Sequence, residues 1–276
     1  MNKTIDLDLI EFEKWVTAKY SISYRRTVLC YVKKNKHLLD ANSNLRNLEL
    51  LSNDVKSSTV KSLILFSKFK GTYTQFKTKL NQYGIKLYRP DSLNAFLRIL
   101  NANNSDVMAW YNTTTPALRP NERLFVKFLL HSGLRTTEAI NSFNKIVELS
   151  KENRVNEYYD QNLTCLCHFK YPKQFIRRTK NCFITFITPE FLNDIAVSEK
   201  VAYNCFRKRL ERNKINKMRF NELRDYFGTY LLHHGLLEQE VNLLQGRIPV
   251  SVFIRHYWSP KLKELSDKVF KTLETI

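Results

Sequence analysis

The chain has 276 residues, with 45 lysines and arginines against 26 aspartates and glutamates, a formal net charge of +19 and a pI near 9.7. With 43% hydrophobic and 13% aromatic residues, it holds enough apolar side chain for one large or two ordinary packed domains, so a disordered tail protein is excluded. No apolar run is long enough to cross a bilayer, and the start, "MNKTIDLDLIEFEKW", lacks the apolar core of a signal peptide, so an intracellular protein with no membrane partner is expected.

Such an excess of positive charge points to a polyanion, because lysines and arginines that neutralise phosphates release condensed counterions. A membrane surface is the weaker alternative, since no single basic amphipathic helix stands out. A soluble basic protein with no polyanionic partner is the bland reading.

The first hundred residues read as helices. "DLDLIEFEKWVTAKY" puts Leu9, Phe12, Trp15 and Val16 on one face. "SISYRRTVLCYVKKNKHLL" turns Val28, Tyr31 and Val32 inward, while Arg25, Arg26, Lys33, Lys34 and Lys36 form a basic face. "SSTVKSLILFSKFKG" is read as capped by Ser57 or Ser58 and stopped by Gly71, with Val60, Leu63 and Ile64 inside and Lys61 and Lys68 outside. Two further helices are expected in "TYTQFKTKLNQYG" and "DSLNAFLRILNAN". Each lysine alone reads as solvated surface, but a basic face repeated over several helices suits a nucleic-acid groove.

"NTTTPALRPNE", residues 112–122, carries two prolines and a threonine run and is taken as a domain boundary. The expected division is a basic helical domain over 1–111, a linker over 112–121 and a second domain over 122–276, which the resemblance described below makes DNA-binding and catalytic respectively. Beyond the boundary, "ERLFVKFLLHSGLRTTEAINSF" reads as two helices, the first stopped at Gly133 and the second capped by Thr136 or Thr137. "LTCLCHFKYPKQF" and "NCFITFITPEF" read as strands joined by the basic turn "IRRTK". From about 199 the chain is helical again. The fold class is therefore mainly α with a small β-sheet.

Five cysteines, Cys30, Cys165, Cys167, Cys182 and Cys205, give an odd count. The Cys-x-Cys of "CLCH" is not a zinc-knuckle spacing and no second pair answers it, so no metal is expected. The cysteines are read as small buried hydrophobes, with a disulfide between strands as the alternative if the source is a hyperthermophile.

Four segments carry chemistry together: "SGLRTTEA" with Arg135, "RRTKNCF" with Lys180, "NELRDYFGTYLL" with Asn221 and Arg224, and "QGRIPVSVFIRHYW" with Arg247 and Tyr257. On these motifs the chain, from about 119 to 260, resembles the tyrosine recombinases, the phage-type integrases, and most closely those of archaeal fuselloviruses and related plasmids. The resemblance implies that Arg135 and Arg224 clamp the scissile phosphate. It places Arg247 where most members carry histidine or tryptophan but the fuselloviral branch carries arginine. Tyr257 is implied as the nucleophile and Lys180 as the general acid, with Lys173 the alternative. Asn221 stands where histidine or lysine is usual, and an amide cannot take a proton at neutral pH; Lys217, Arg219 or His256 are the groups that could compensate. His256, His233, His234 and Trp258 otherwise read as structural.

The chemistry suits these residue types without the resemblance. A phosphodiester under attack gathers negative charge on its non-bridging oxygens, and guanidinium groups are always charged and donate in forks. A covalent phosphotyrosine conserves the bond energy, so the resemblance implies rejoining with no ATP, metal or other cofactor. It also implies double-stranded attachment-site DNA as partner, a tetramer on that DNA, and an archaeal virus, provirus or plasmid as source. Two other readings stay open: a DNA-binding relative whose catalysis has decayed, and a relaxing topoisomerase using the same tyrosine chemistry. The last helix carries an apolar stripe, Leu262, Leu265, Val269, Phe270 and Leu273, which either packs on its own domain or docks into a neighbouring subunit.

Overall fold

The structure is a computed structural model. It describes residues 7–85, 104–177, 180–212, 218–248 and 257–274. The chain forms two compact units, Met1–Asn101 and Ala102–Ile276, and is mainly α with one small antiparallel sheet.

The first unit contains α1 (Leu7–Lys19), α2 (Ile22–Asn35), α3 (Asn53–Phe69) and α4 (Tyr73–Gln82). Phe12 and Val16 of α1 meet Val28, Leu29 and Val32 of α2 and Phe66 of α3 in one buried cluster. Val60 and Leu63 join Phe76 and Leu80 in another. The inward stripes expected from the sequence thus pack on each other. Helix α3 starts at Asn53, with Ser52 in the cap position, so Ser57 and Ser58 lie inside the helix rather than capping it. Asn53 and Asp54 supply a polar first turn that periodicity alone does not register. Lys79 is buried: its ammonium donates to the carbonyls of Leu38 and Asp40 and to the Ser43 hydroxyl, pinning the turn after α2. Burial lowers its pKa. The helix expected in "DSLNAFLRILNAN" falls outside the described residues.

The second unit opens with α5 (Asn104–Thr114), a 3-10 turn Thr115–Ala117 and α6 (Pro120–Ser132). Residues 112–121, expected as a linker, are therefore helix end, turn and helix start, and Leu118 is part of the second unit's core. Pro120 occupies the first turn of α6, where its missing N–H costs nothing. The prolines mark helix boundaries here, not a loose connection.

Helix α7 (Thr136–Lys151) follows, then β1 (Tyr159–Asp160), β2 (Cys165–Cys167), α8 (Pro172–Phe175), β3 (Ile184–Phe186) and α9 (Pro189–Ala196). The sheet order is β1-β2-β3, all antiparallel, with Leu166 opposite Tyr159 and Thr185. The expected strands are cut short, the first by a 3-10 turn at His168–Lys170 and the second ahead of Pro189. Pro172 starts a helical turn, and Thr188 caps α9 ahead of Pro189 by accepting from the Phe191 N–H. The remaining elements are α10 (Tyr203–Arg212), α11 (Phe220–His233), α12 (Glu238–Leu244) and α13 (Leu262–Leu273).

Two cores fill this unit. Phe125, Phe128 and Phe143 from α6 and α7 pack with Phe206 and Phe220 in one. In the other, Leu265, Val269 and Leu273 of α13 bury against Ile184, Phe186 and residues of α11 and α12. The last helix thus spends its apolar stripe on its own unit. All five cysteines are free thiols; Cys165, Cys167 and Cys182 are buried as expected, whereas Cys30 and Cys205 are exposed. Among the described residues no helix is long and apolar enough to span a membrane.

A polar chain crosses the second unit's interior. The Tyr158 hydroxyl contacts Ser142 Oγ at 3.0 Å and His168 Nδ1 at 2.6 Å, and His168 Nε2 meets Thr185 Oγ1 at 2.7 Å. His168 is fully buried, and burial pushes its pKa from 6.5 down to about 3. Between those values the unfolded chain binds a proton that the folded chain refuses, so stability falls as pH drops below 6.5. The slope reaches about 1.4 kcal/mol per pH unit for one such group. His131, lowered to about 4 by burial and by Lys127, adds to it. Urea midpoints measured near neutral pH and near pH 5 are expected to fall less for His168→Gln than for wild type; equal falls would show that His168 is not the titrating group.

Candidate active site

Arg224 sits in the middle of α11 and is only 4% exposed. A buried guanidinium needs hydrogen-bond partners to offset lost hydration. Its Nη1 donates to the Gly133 carbonyl at 2.6 Å and its Nη2 to the Gln245 carbonyl at 2.7 Å. Gln245 returns the contact, its side-chain amide donating to the Arg224 carbonyl at 3.0 Å. Three segments distant in sequence, the ends of α6 and α12 and the body of α11, are thereby tied at one charge.

Gly133 makes the first of these contacts possible. It follows α6 in the left-handed conformation, φ +58°, and a Cβ there would lie 2.2 Å from the Phe227 ring. The chain then turns into Arg135, which occupies the cap position of α7. Thr136 and Thr137, expected as caps, are instead the first helical residues. The cap function passes to Glu138, whose carboxylate accepts from the Arg135 backbone N–H at 3.2 Å. The same carboxylate, 1% exposed on its side chain, accepts from Arg135 Nη1 at 2.9 Å. A cation at the positive end of a helix is unfavourable alone; Glu138 compensates it and fixes the guanidinium's direction.

Arg224 registers its neighbours electrostatically. Its pKa is pushed down to about 10, first by burial and then by the charges of Arg135 and Arg247. Arg247 follows α12, its backbone N–H bonded to the Asn242 carbonyl at 2.7 Å, and its side chain is exposed. Three arginines from three motifs thus share one locality with the single carboxylate Glu138 among the charges acting on Arg224. This is a site with surplus positive charge and oriented donors, suited to an anion with several oxygens.

The hairpin between α8 and β3 borders this cluster. Ile176 pairs with Asn181, and the Asn181 carbonyl accepts from Arg135 Nη1 at 3.3 Å. Gly246 presses on the same carbonyl: with φ +67°, a Cβ there would lie 1.9 Å from it. Lys180, beside Asn181, is exposed. Lys173 lies in α8, off the hairpin tip.

The other expected residues are less closely gathered. Asn221 is exposed in the first turn of α11, and Arg219 ahead of it pairs with Glu222 at 3.0 Å. Tyr257 is 73% exposed in a turn before α13. Lys217 and His256 lie outside the described residues. His233 and His234 are exposed at the end of α11, and His234 stacks on Tyr230. Trp258 is half-buried. In the first unit Arg26, Lys33, Lys34, Lys61 and Lys68 are exposed and Arg25 is half-buried, bonded to the Thr17 hydroxyl at 3.0 Å. Sequence reasoning missed Glu138, Asn181 and Gln245. The first was visible only as the last letter of "GLRTTE", and the other two meet the arginines through backbone carbonyls, which no motif spells.

Among the described residues no group of three or more histidine, cysteine or acidic side chains could hold a metal. The archaeal phage integrase family matches residues 99–274, and the chain belongs to that family. It is accordingly an enzyme of the DNA-integrating, recombining class, and DNA is its partner. No curated protein matches the chain.

Gly246 gives a direct check on this packing. Gly235 shares a positive φ, +88°, but a Cβ there meets nothing within 4 Å. Alanine at either glycine incurs about 1–2 kcal/mol of left-handed strain. Gly246→Ala is expected to lose clearly more stability in urea unfolding than Gly235→Ala, and DNA cleavage as well; equal losses would mean the hairpin base does not rest on Gly246.

Proposed function

We propose that the protein is a site-specific tyrosine recombinase that cuts and rejoins DNA through a 3′-phosphotyrosine intermediate. The observation that carries the reading is the meeting of Arg135, Arg224 and Arg247 beside the Lys180 hairpin. The arginines hold the non-bridging oxygens of the scissile phosphate and stabilise the charge that builds on them in the transition state. The Tyr257 oxygen attacks phosphorus and the bond to the 5′ oxygen breaks. Lys180 gives its proton to that oxygen, and the phenolic proton passes to water. Rejoining reverses these steps with a second 5′-hydroxyl, so neither ATP nor metal enters. The phosphate oxygens replace water on guanidiniums already fixed by Glu138, Gly133 and Gln245, so little reorganisation is needed.

The first unit is proposed to bind duplex DNA through Arg25, Arg26, Lys33, Lys34, Lys61 and Lys68, and four copies are proposed to assemble on a pair of attachment sites. A tyrosine acting on its own site or on a neighbour's fits this scheme equally. The exposed Asn221, which cannot accept a proton, favours one rival reading, a DNA-binding relative that no longer cleaves.

The test uses a nicked duplex selected by the full chain from a randomised pool. Wild type is expected to form a denaturant-stable adduct, absent in Tyr257→Phe, and Lys180→Ala is expected to slow its formation by about 10²–10⁴. Tight binding to selected duplexes with no adduct would establish the rival reading. Arg224→Lys keeps the charge but loses the fork, and is expected to abolish adduct formation while the fold persists in circular dichroism; full activity in that variant would remove Arg224 from the clamp.

A further inference from the structure

Arg177 occupies the near arm of the lysine hairpin, and neither the motifs nor the mechanism above assigns it a role. Its guanidinium is not spread into solvent as a surface arginine's would be. Nη2 donates to Glu138 Oε1 at 2.8 Å, although the Arg177 side chain keeps 43% of its exposure and Glu138 only 1%. Its backbone N–H donates to the Asn181 side-chain oxygen at 3.0 Å. Asn181 in turn gives its carbonyl to Arg135, and Arg135 holds Glu138. The four residues close a ring: Glu138 to Arg177, across the hairpin base to Asn181, on to Arg135 and back to Glu138.

The ring joins a fixed point to a projecting one. Glu138 belongs to the first turn of α7, in the core of the unit, whereas Lys180 is an exposed neighbour of Asn181. Among the described residues, Arg177 and Arg135 are the side chains that carry the constraint from one to the other, Arg177 from within the hairpin itself. Glu138 has two contacts to Arg135 besides this one, through the backbone N–H and through Nη1. Loss of Arg177 therefore leaves the Arg135 clamp anchored while it loosens the hairpin.

We propose that Arg177 is a positioning residue that ties the hairpin base to Glu138 and thereby sets where Lys180 stands when it protonates the leaving 5′ oxygen. This rests on the reading of Lys180 as general acid. A proton donor must lie within hydrogen-bond reach of the oxygen it serves, and small misplacements of positioned groups carry large rate penalties. The effect of Arg177 thus falls on leaving-group protonation and not on phosphate binding.

The experiment replaces the 5′ oxygen at the mapped cleavage position by sulfur. A thiolate leaves without being protonated, so a defect in proton delivery disappears on this substrate while a defect in the arginine clamp persists. Single-turnover adduct formation is measured for wild type, Arg177→Ala, Arg177→Lys, Lys180→Ala and Arg135→Ala on both DNAs, with DNA affinity measured alongside. Arg177→Ala is expected to be slowed at least ~10-fold on normal DNA, within the range general acids supply, with unchanged affinity and near wild-type rate on the sulfur substrate. Arg177→Lys, which keeps a donor for Glu138, is expected to recover part of the rate on normal DNA, and Arg135→Ala to stay slow on both. If Lys180→Ala is rescued by sulfur and Arg177→Ala is not, the positioning role is overturned and the general-acid assignment stands. If Lys180→Ala itself is not rescued, the general acid is misassigned and the proposal falls with it. Loss of DNA affinity in Arg177→Ala also overturns it, since the residue then acts as a DNA contact or a structural prop.

Discussion

A guanidinium buried at 4% exposure, with two further arginines pressing on its charge, is the constraint around which the second unit is arranged. Unpaired, such a group costs on the order of several kcal/mol. Here the cost is offset by carbonyls that the fold must bring from elsewhere: one from Gly133 at the end of α6, one from Gln245 at the end of α12. Each carbonyl is available because a glycine sits in or next to its segment and accepts a left-handed turn. Phe227 fills the space that Gly133 leaves empty, and Gly228 makes room for the Gln245 side chain on the same helix. The site and the core around α11 are one piece of packing.

The remaining positive charge is then distributed by a single buried carboxylate. Glu138 holds Arg135 and Arg177 at once, which leaves the cluster with more cation than anion. Burial first, and that imbalance second, depress the pKa of Arg224. Preorganisation of this kind places the work of orienting donors in folding, so that charge developing in a transition state meets dipoles already aimed at it.

Much of this was legible in the sequence, and the failures have physical causes. Periodicity found the inward faces of α1, α2 and α3 because those helices bury one stripe and solvate the other. It misplaced the caps of α3 and α7, since a cap is set by backbone angles rather than residue type: Ser52 holds the cap position expected of Ser57, and Glu138 accepts the backbone N–H at the start of α7. The expected strands stopped early because a 3-10 turn takes over at His168–Lys170 and Pro189 opens a helix. The linker vanished because Pro120 starts α6 and Leu118 belongs to the core. The arginines were readable by resemblance, each lying in a short motif. Glu138, Arg177, Asn181 and Gln245 were not, because their roles come from hydrogen bonds across the hairpin and between helices far apart in sequence.

The measurement that bears most directly on this account is the identity of the residue that becomes linked to DNA. A trapped adduct of the full chain, digested with nuclease and trypsin and sequenced by mass spectrometry, should carry its nucleotide remnant on Tyr257, in the peptide between Arg255 and Lys261. A remnant on any other tyrosine, or on a serine, would contradict the account, because the arginine cluster would then serve a different nucleophile.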